Sequence, residues 1–452
     1  MKRFVLLSLA LIATLTLSAQ TAREEVTANP QVVIPTMTVY NGELFTVEAP
    51  AVPKGFKPVF ITGYLRHGSR LEALEEYPID AYNYFKKADE AGILTPLGKK
   101  VKEFMKWNMD KHEGRVGDLT DVGFEQHKQI AKRYYKRYSS LFKGGAKVES
   151  KGSTELRAAM SMVGFNEGLK ECNPRLRNHM EASEAVTGMI RPQKSAHNKG
   201  YSAADEKAYK AFLAKEVFAK LHAWGQRQNF DHAKNAMFTD PQKFFSLFKA
   251  EPSKIINDIY KRLAFAQNMG INDRTLIDQI FTPEERYNIY MLENCRWHYR
   301  SGSAAHPILA NNMAQSRLTI DYLVEQIDRH IAGESDEVMH LCFGHDLNLI
   351  PLQNILGLEG MPLYFGEGKE TIEYVAENWR GYKITPKAGN IMLIIYRNKE
   401  GKTLVRPQMN ERDVTMPIES AMPYFYEWDS VKKLAYERLA EIDRLKQGAC
   451  GK

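Results

Sequence analysis

The sequence predicts an α/β fold: a sheet domain assembled from both ends of the chain, with a mostly α-helical cap inserted between them. Three observations carry this. Short apolar runs of strand length occur early (58–65, PVFITGYL) and late (339–343, MHLCF; 390–397, NIMLIIYR). Residues 161–305 between them are rich in Lys, Ala and aromatic side chains and lack strand alternation. The chain's 452 residues, 44% hydrophobic and 26% charged, suit two or three domains or one large α/β unit carrying an insertion. The expected layout is residues 21–160 and 306–452 for the sheet domain and 161–305 for the cap.

Residues 1–20 combine Lys2 and Arg3, an apolar run over 4–17 and small residues ending near Ala19. That is the pattern of a secretory signal peptide, with an apolar part too short to span a bilayer comfortably. No cysteine follows it to carry a lipid, and no later run is apolar enough to cross a membrane. An exported protein, periplasmic or extracellular, without stable membrane insertion after cleavage is expected. Residues 21–53 read as a partly extended lead-in. The strand at 58–65 delivers TGYLRHGSR on its C-terminal loop. Helical spacing covers 97–112 and 120–138. KVES (147–150) reads as a strand, and Ser153 or Thr154 as the cap of a helix beginning near 155. A long amphipathic helix is expected over 311–331, then the buried strand 339–343. The strands 390–397 and 404–411 pair about a turn at 398–401, and a helix closes the chain over 428–446. Cys172, Cys295, Cys342 and Cys450 lie far apart, so disulfides and buried thiols are both open.

The formal charge is +7 and falls by two when Lys2 and Arg3 leave. Its positive residues are spread among acids, unlike the basic stripe that nucleic acid requires. The sequence contains no H-E-x-x-H, paired C-x-x-C, P-loop, G-x-G-x-x-G or G-x-S-x-G. No metal site and no cofactor are therefore expected. What remains is Arg66, His67 and Arg70 around Gly68. Guanidiniums stay ionised and grip phosphate bidentately, and a neutral imidazole can attack phosphorus. CFGHDLNLIPL (342–352) adds His345 and Asp346, a possible phosphate donor beside a possible acid, with Asp346 also suited to cap a helix. Arg157 in STELRAAMS reads as a helix-surface arginine on its own. LTDVGFEQ (119–126) reads as a structural helix start.

Taken together and in this order, these segments resemble the histidine acid phosphatases, the family branch holding phytases and multiple inositol polyphosphate phosphatases. The resemblance runs from R-H-G-x-R through L-T-x-x-G-x-x-Q and S-T-x-x-R to the late H-D, then PKAGNIMLIIYR and MNERDVTMP. It implies a phosphoglycerate-mutase-like α/β sheet domain with a helical cap. It also implies His67 as nucleophile, Asp346 as proton donor, and Arg66, Arg70, Arg157 and His345 as phosphate ligands, with no metal. Two positions depart from the family pattern. Leu71-Glu72 stands where phytases continue x-Pro, placing Glu72, Glu75 and Glu76 near the site. Asp346 and Leu347 occupy the Ala-Glu slots of F-G-H-A-E-x-L-x-P-L. The expected partner is an anionic phosphomonoester, either an inositol polyphosphate such as phytate or a smaller ester. Phosphotransfer to another acceptor and a non-catalytic phosphate-binding relative are the alternatives.

Overall fold

The computed structural model describes residues 20–40, 42 and 51–448. Gln20 apart, the signal-peptide reading lies outside them. One twisted sheet forms the frame, in the order β3-β2-β4-β1-β5-β6-β7. Its strands are β1 (Lys57–Arg66), β2 (Lys147–Gly152), β3 (Arg177–Glu181), β4 (Glu337–Gly344), β5 (Asn390–Arg397), β6 (Thr403–Met409) and β7 (Arg412–Asp413); β8 (Tyr426–Glu427) pairs with β6. β1 is central, parallel to β4 and antiparallel to β5. Its residues alternate between two cores. Ile61 and Leu65 face Phe343, Met392 and the helices Asp121–Arg137 and Leu156–Cys172. Phe60 and Tyr64 face Leu393, Ile395 and the helices Arg317–Ala332, Asp346–Leu356 and Trp428–Lys446. Apolar cover on both faces explains why β1, β4 and β5 read as unbroken hydrophobic runs.

The cap is built from the helices Glu76–Glu90, Pro96–His112, Asp231–Met237, Pro252–Phe265 and Pro283–Trp297 around Phe85, Met105, Phe238, Ile256 and Tyr290. Two features differ from the expected layout. The helical cluster recruits residues 76–112, well before 161. Conversely, β3 lies inside 161–305 and pairs in parallel with β2. Its sequence, RNHME, is polar and largely exposed, so the edge strand carries no hydrophobic alternation to read.

Smaller differences have local causes. The helix expected over 311–331 is two, Pro307–Ala314 and Arg317–Ala332. Gln315 and Ser316 at the break turn inward, where Ser316 donates to Asn348 (2.7 Å) and Gln315 accepts from Asn198 (2.9 Å). The strand expected to reach 411 stops at Met409, because Asn410 and Glu411 adopt left-handed backbone (φ 53° and 65°) and turn the chain into β7. The lead-in holds a helix, Ala22–Ala28, closed by a Thr21–Glu24 capping box. Cys172, Cys295 and Cys342 are free thiols, while Cys450 lies outside the described residues. Among the described residues no helix is long and apolar enough to cross a membrane.

Candidate active site

β1 and β4 are parallel neighbours, so their carboxyl ends open side by side: Arg66 is in register with Gly344. This juxtaposition alone brings RHGSR against GHD, the position where parallel sheets present ligand sites. His67 is fixed from three sides. Its N–H donates to the Gly344 carbonyl (2.9 Å), its carbonyl accepts from Ala388 (3.0 Å), and its Nδ1 donates to the Gly68 carbonyl (2.9 Å). Since a carbonyl can only accept, the proton sits on Nδ1 and Nε2 carries the free lone pair. Burial, then the charges of Lys387, Arg157, Arg66 and Arg70, hold the ring's pKa well below the usual range, so it stays neutral.

Glycine is obligatory in this loop. A Cβ on Gly68 would stand 2.4 Å from the Gly123 carbonyl oxygen, and one on Gly123 2.1 Å from that of Ser69. The helix start Asp121–Arg137 clamps the loop further. Thr120 donates to the Ser69 carbonyl (3.1 Å), and Gln126 accepts from the Ser69 N–H (2.9 Å). The L-T-x-x-G-x-x-Q segment is thus structural, as read, and what it builds is the site loop.

Arg66 is buried, with both terminal nitrogens engaged. It pairs with Asp346 (2.7 Å) and donates to the carbonyls of Thr385 (2.6 Å) and Thr36 (3.0 Å). The lead-in therefore braces the site. His345, not Asp346, is the N-cap of the helix Asp346–Leu356. One Asp346 oxygen accepts from the Leu347 N–H (2.9 Å) and the other holds Arg66. Burial pushes its carboxyl pKa up, but Arg66, then Lys387 and Arg300, outweigh this and hold it far below the carboxylate range. His345 lies edge-on to His67 at 5.5 Å between ring centres, and its Nε2 is 3.0 Å from the Ser153 hydroxyl. Arg157 is no surface residue: it faces inward with Glu155 (2.8 Å), and Glu155 also binds Arg191. Arg70 donates to the Leu71 carbonyl (2.6 Å). The buried Nε–H groups of Arg66, Arg70, Arg157 and Arg191 have no hydrogen-bond partner among the described residues. Leftover cationic donors around a neutral imidazole can receive a multiply charged oxyanion.

All six candidate residues meet in this one place. Four others carry no site role in the sequence reading. Ser153 does not cap a helix; it orients His345, and the helix begins at Leu156 with no side-chain cap. Ser161 accepts from the Gly68 N–H (3.0 Å). Arg191 reaches the site from the helix Glu184–Ile190 and carries no motif. Lys387 lies in PKAGN, a segment legible only as the approach to a strand. Glu72 is not free to face a ligand, being buried against Arg262 (3.0 Å), whereas Glu75 and Glu76 are exposed.

The chain matches the family model of the histidine phosphatase superfamily (branch 2) over residues 65–410. Comparison with curated protein sequences finds no match. Among solved structures it is similar to the Bifidobacterium longum multiple inositol polyphosphate phosphatase in complex with inositol hexasulfate, at 18% identity and TM-score 0.67, covering 91% of this chain and 98% of that one. It is similar to the phytase from D. castellii (14% identity, TM-score 0.62, 91% and 85% covered). The Hafnia alvei phytase in complex with tartrate is a more distant likeness (13%, TM-score 0.51, 86% and 98%). These likenesses bear out the α/β fold. The family match covers well more than half the chain: the protein belongs to the histidine phosphatase superfamily, branch 2, and is a phosphomonoester hydrolase.

Proposed function

We propose that this is an exported, metal-independent phosphatase that hydrolyses inositol polyphosphates through a phosphohistidine on His67. The observation that carries the reading is the His67 tautomer: Nδ1 is occupied by the Gly68 carbonyl, so Nε2 is the bare nucleophile in a ring of arginines. Nε2 attacks phosphorus as the ester P–O bond breaks, and Asp346 gives its proton to the departing oxygen. Water then attacks the phosphohistidine, Asp346 takes the proton back, the P–N bond breaks, and phosphate leaves. Arg66, Arg70, Arg157 and His345 hold the non-bridging oxygens, supplying the charge stabilisation that a metal gives elsewhere. Asp346 is ionised against Arg66 in the free protein. Phosphoryl oxygens that draw Arg66 towards themselves loosen this pair and let the carboxyl take up its proton.

The substrate class is supported by a cavity of about 260 Å³ beyond Leu347, lined by Lys194, Lys210 and Arg300. The two lysines share the single carboxylate of Glu206, so the wall stays net positive. A second phosphate on the same ring suits it. The structural neighbours named for inositol polyphosphate and phytate agree. Export is supported by the pattern of residues 1–20. N-terminal sequencing of protein recovered outside the cytoplasm should begin near residue 20 or 21.

The test is phosphate release from inositol hexakisphosphate and from an aryl phosphate, in EDTA, by wild type and His67→Ala. Cleavage of both by wild type, and a loss of roughly 10⁴-fold or more in His67→Ala, is expected. Cleavage of the aryl ester alone would reject the polyphosphate substrate. Turnover surviving in His67→Ala would reject the nucleophile.

A further inference from the structure

We propose that the Lys387 ammonium is a direct phosphate ligand of this site, ion-pairing with a non-bridging oxygen of the phosphoryl group that His67 attacks. This rests on the reading of His67 as the nucleophile.

Lys387 stands in the loop before β5, and that loop is stitched to Arg66 and His67 on both sides of it. Thr385 accepts from the Arg66 guanidinium (2.6 Å) and Gly389 from the Arg66 N–H (2.8 Å), while Ala388 donates to the His67 carbonyl (3.0 Å). The Lys387 N–H itself donates to Thr38 (2.8 Å). Ala388 is held at φ 59°, a left-handed conformation that alanine rarely adopts, in the middle of this contact. The backbone at Lys387 is thereby tied to that of the nucleophile.

The residue is only 2% exposed, and among the described residues its ammonium enters no hydrogen bond or ion pair. Buried lysines are ordinarily paired, because an isolated buried charge is costly. The other cations here have partners: Arg66 holds Asp346, Arg157 holds Glu155, and Arg70 holds the Leu71 carbonyl. Lys387 is also the charge that acts most strongly on the His67 ring, and after Arg66 it is the strongest cation acting on Asp346. The loop that carries it is hydrogen-bonded to the backbone of both Arg66 and His67, so a phosphoryl dianion held between His67 and Asp346 supplies its missing countercharge.

Calorimetric titration with inorganic phosphate, thermal unfolding and aryl phosphate kinetics on wild type, Lys387→Met and Lys387→Arg test this. Lys387→Met should weaken phosphate binding roughly 10-fold or more and lower kcat/KM roughly 100-fold, with a Tm equal to or above wild type. Lys387→Arg, which restores the charge, should recover part of both. Unchanged phosphate affinity in Lys387→Met would overturn the proposal. So would a lower Tm, since that marks the lysine as structural. If Lys387→Met loses phosphate affinity while His67→Ala still turns over, the nucleophile assignment fails and Lys387 stands as a phosphate ligand.

Discussion

The cap and the site loop both bury charge, but they treat it in opposite ways. In the cap, Lys261 pairs with Glu293 (2.7 Å), which also accepts from Asn257 (2.8 Å), and Arg286 pairs with Asp278 (2.6 Å). Each buried cation there has its carboxylate. At the carboxyl ends of β1 and β4, cations outnumber acids among the described residues: Arg66, Arg70, Arg157, Arg191 and Lys387 face Asp346, Glu155 and Glu72, and Glu72 is already paired with Arg262. Paired charge holds helices in place, whereas surplus charge is held in readiness for an anion. A buried ion pair contributes little net stability but is expensive to break. A buried surplus charge costs stability until its ligand arrives.

That contrast can be broken at either end. The largest effect is expected for Asp346→Asn, which keeps the shape but cannot deliver a proton. Its kcat on an alkyl phosphate should fall by roughly 10²- to 10⁴-fold, and less on an aryl ester whose leaving group needs no acid. Equal losses on both esters would show that Asp346 only positions Arg66. In the cap, Glu293→Gln leaves Lys261 buried and unpaired. Chemical denaturation should show a loss of about 3–5 kcal/mol while kcat stays at the wild-type value. A stable variant with impaired turnover would erase the distinction between the two regions.

The smallest and broadest effect concerns pH. His67 and His345 are held well below the ordinary histidine range, first by burial and then by arginine and lysine charges, and burial lowers His127 to about 3. In each case the unfolded chain takes up a proton that the folded one refuses. Stability is therefore full above the unfolded value of about 6.5 and falls as pH drops below it, by about 1.4 kcal/mol per pH unit per histidine at most. Tm measured from pH 7 towards pH 4 should decline. His127→Phe, which removes one of the three, should flatten the slope. A Tm rising on acidification would contradict the burial of these rings as neutral species.

Much of this was legible because it is local. A strand buried on both faces must be an apolar run, which made 58–65, 339–343 and 390–397 readable. A loop that packs backbone on backbone needs Gly68 and Gly123, so those positions stand out within motifs. The edge strand β3 was hidden because its RNHME residues face solvent and obey no pattern. Ser153 was misread as a helix cap because a hydroxyl before a helix serves equally well for either purpose. The two-helix break at Gln315-Ser316 was missed because the amphipathic spacing continues across it, and only buried polar partners from distant segments make the break worthwhile.

Residue type and order were enough to say which side chains can attack, protonate and hold a phosphoryl group, since those capacities belong to imidazole, carboxyl and guanidinium wherever they stand. Register and burial decided the rest. The parallel pairing of β1 with β4 brings His67 to His345 across 277 intervening positions that carry no trace of it. Whether a lysine is a solvated surface charge or a buried cation beside a nucleophile depends on what surrounds it. For Lys387, those surroundings come from the lead-in, β1 and the loop before β5, three parts of the chain that meet only when it folds.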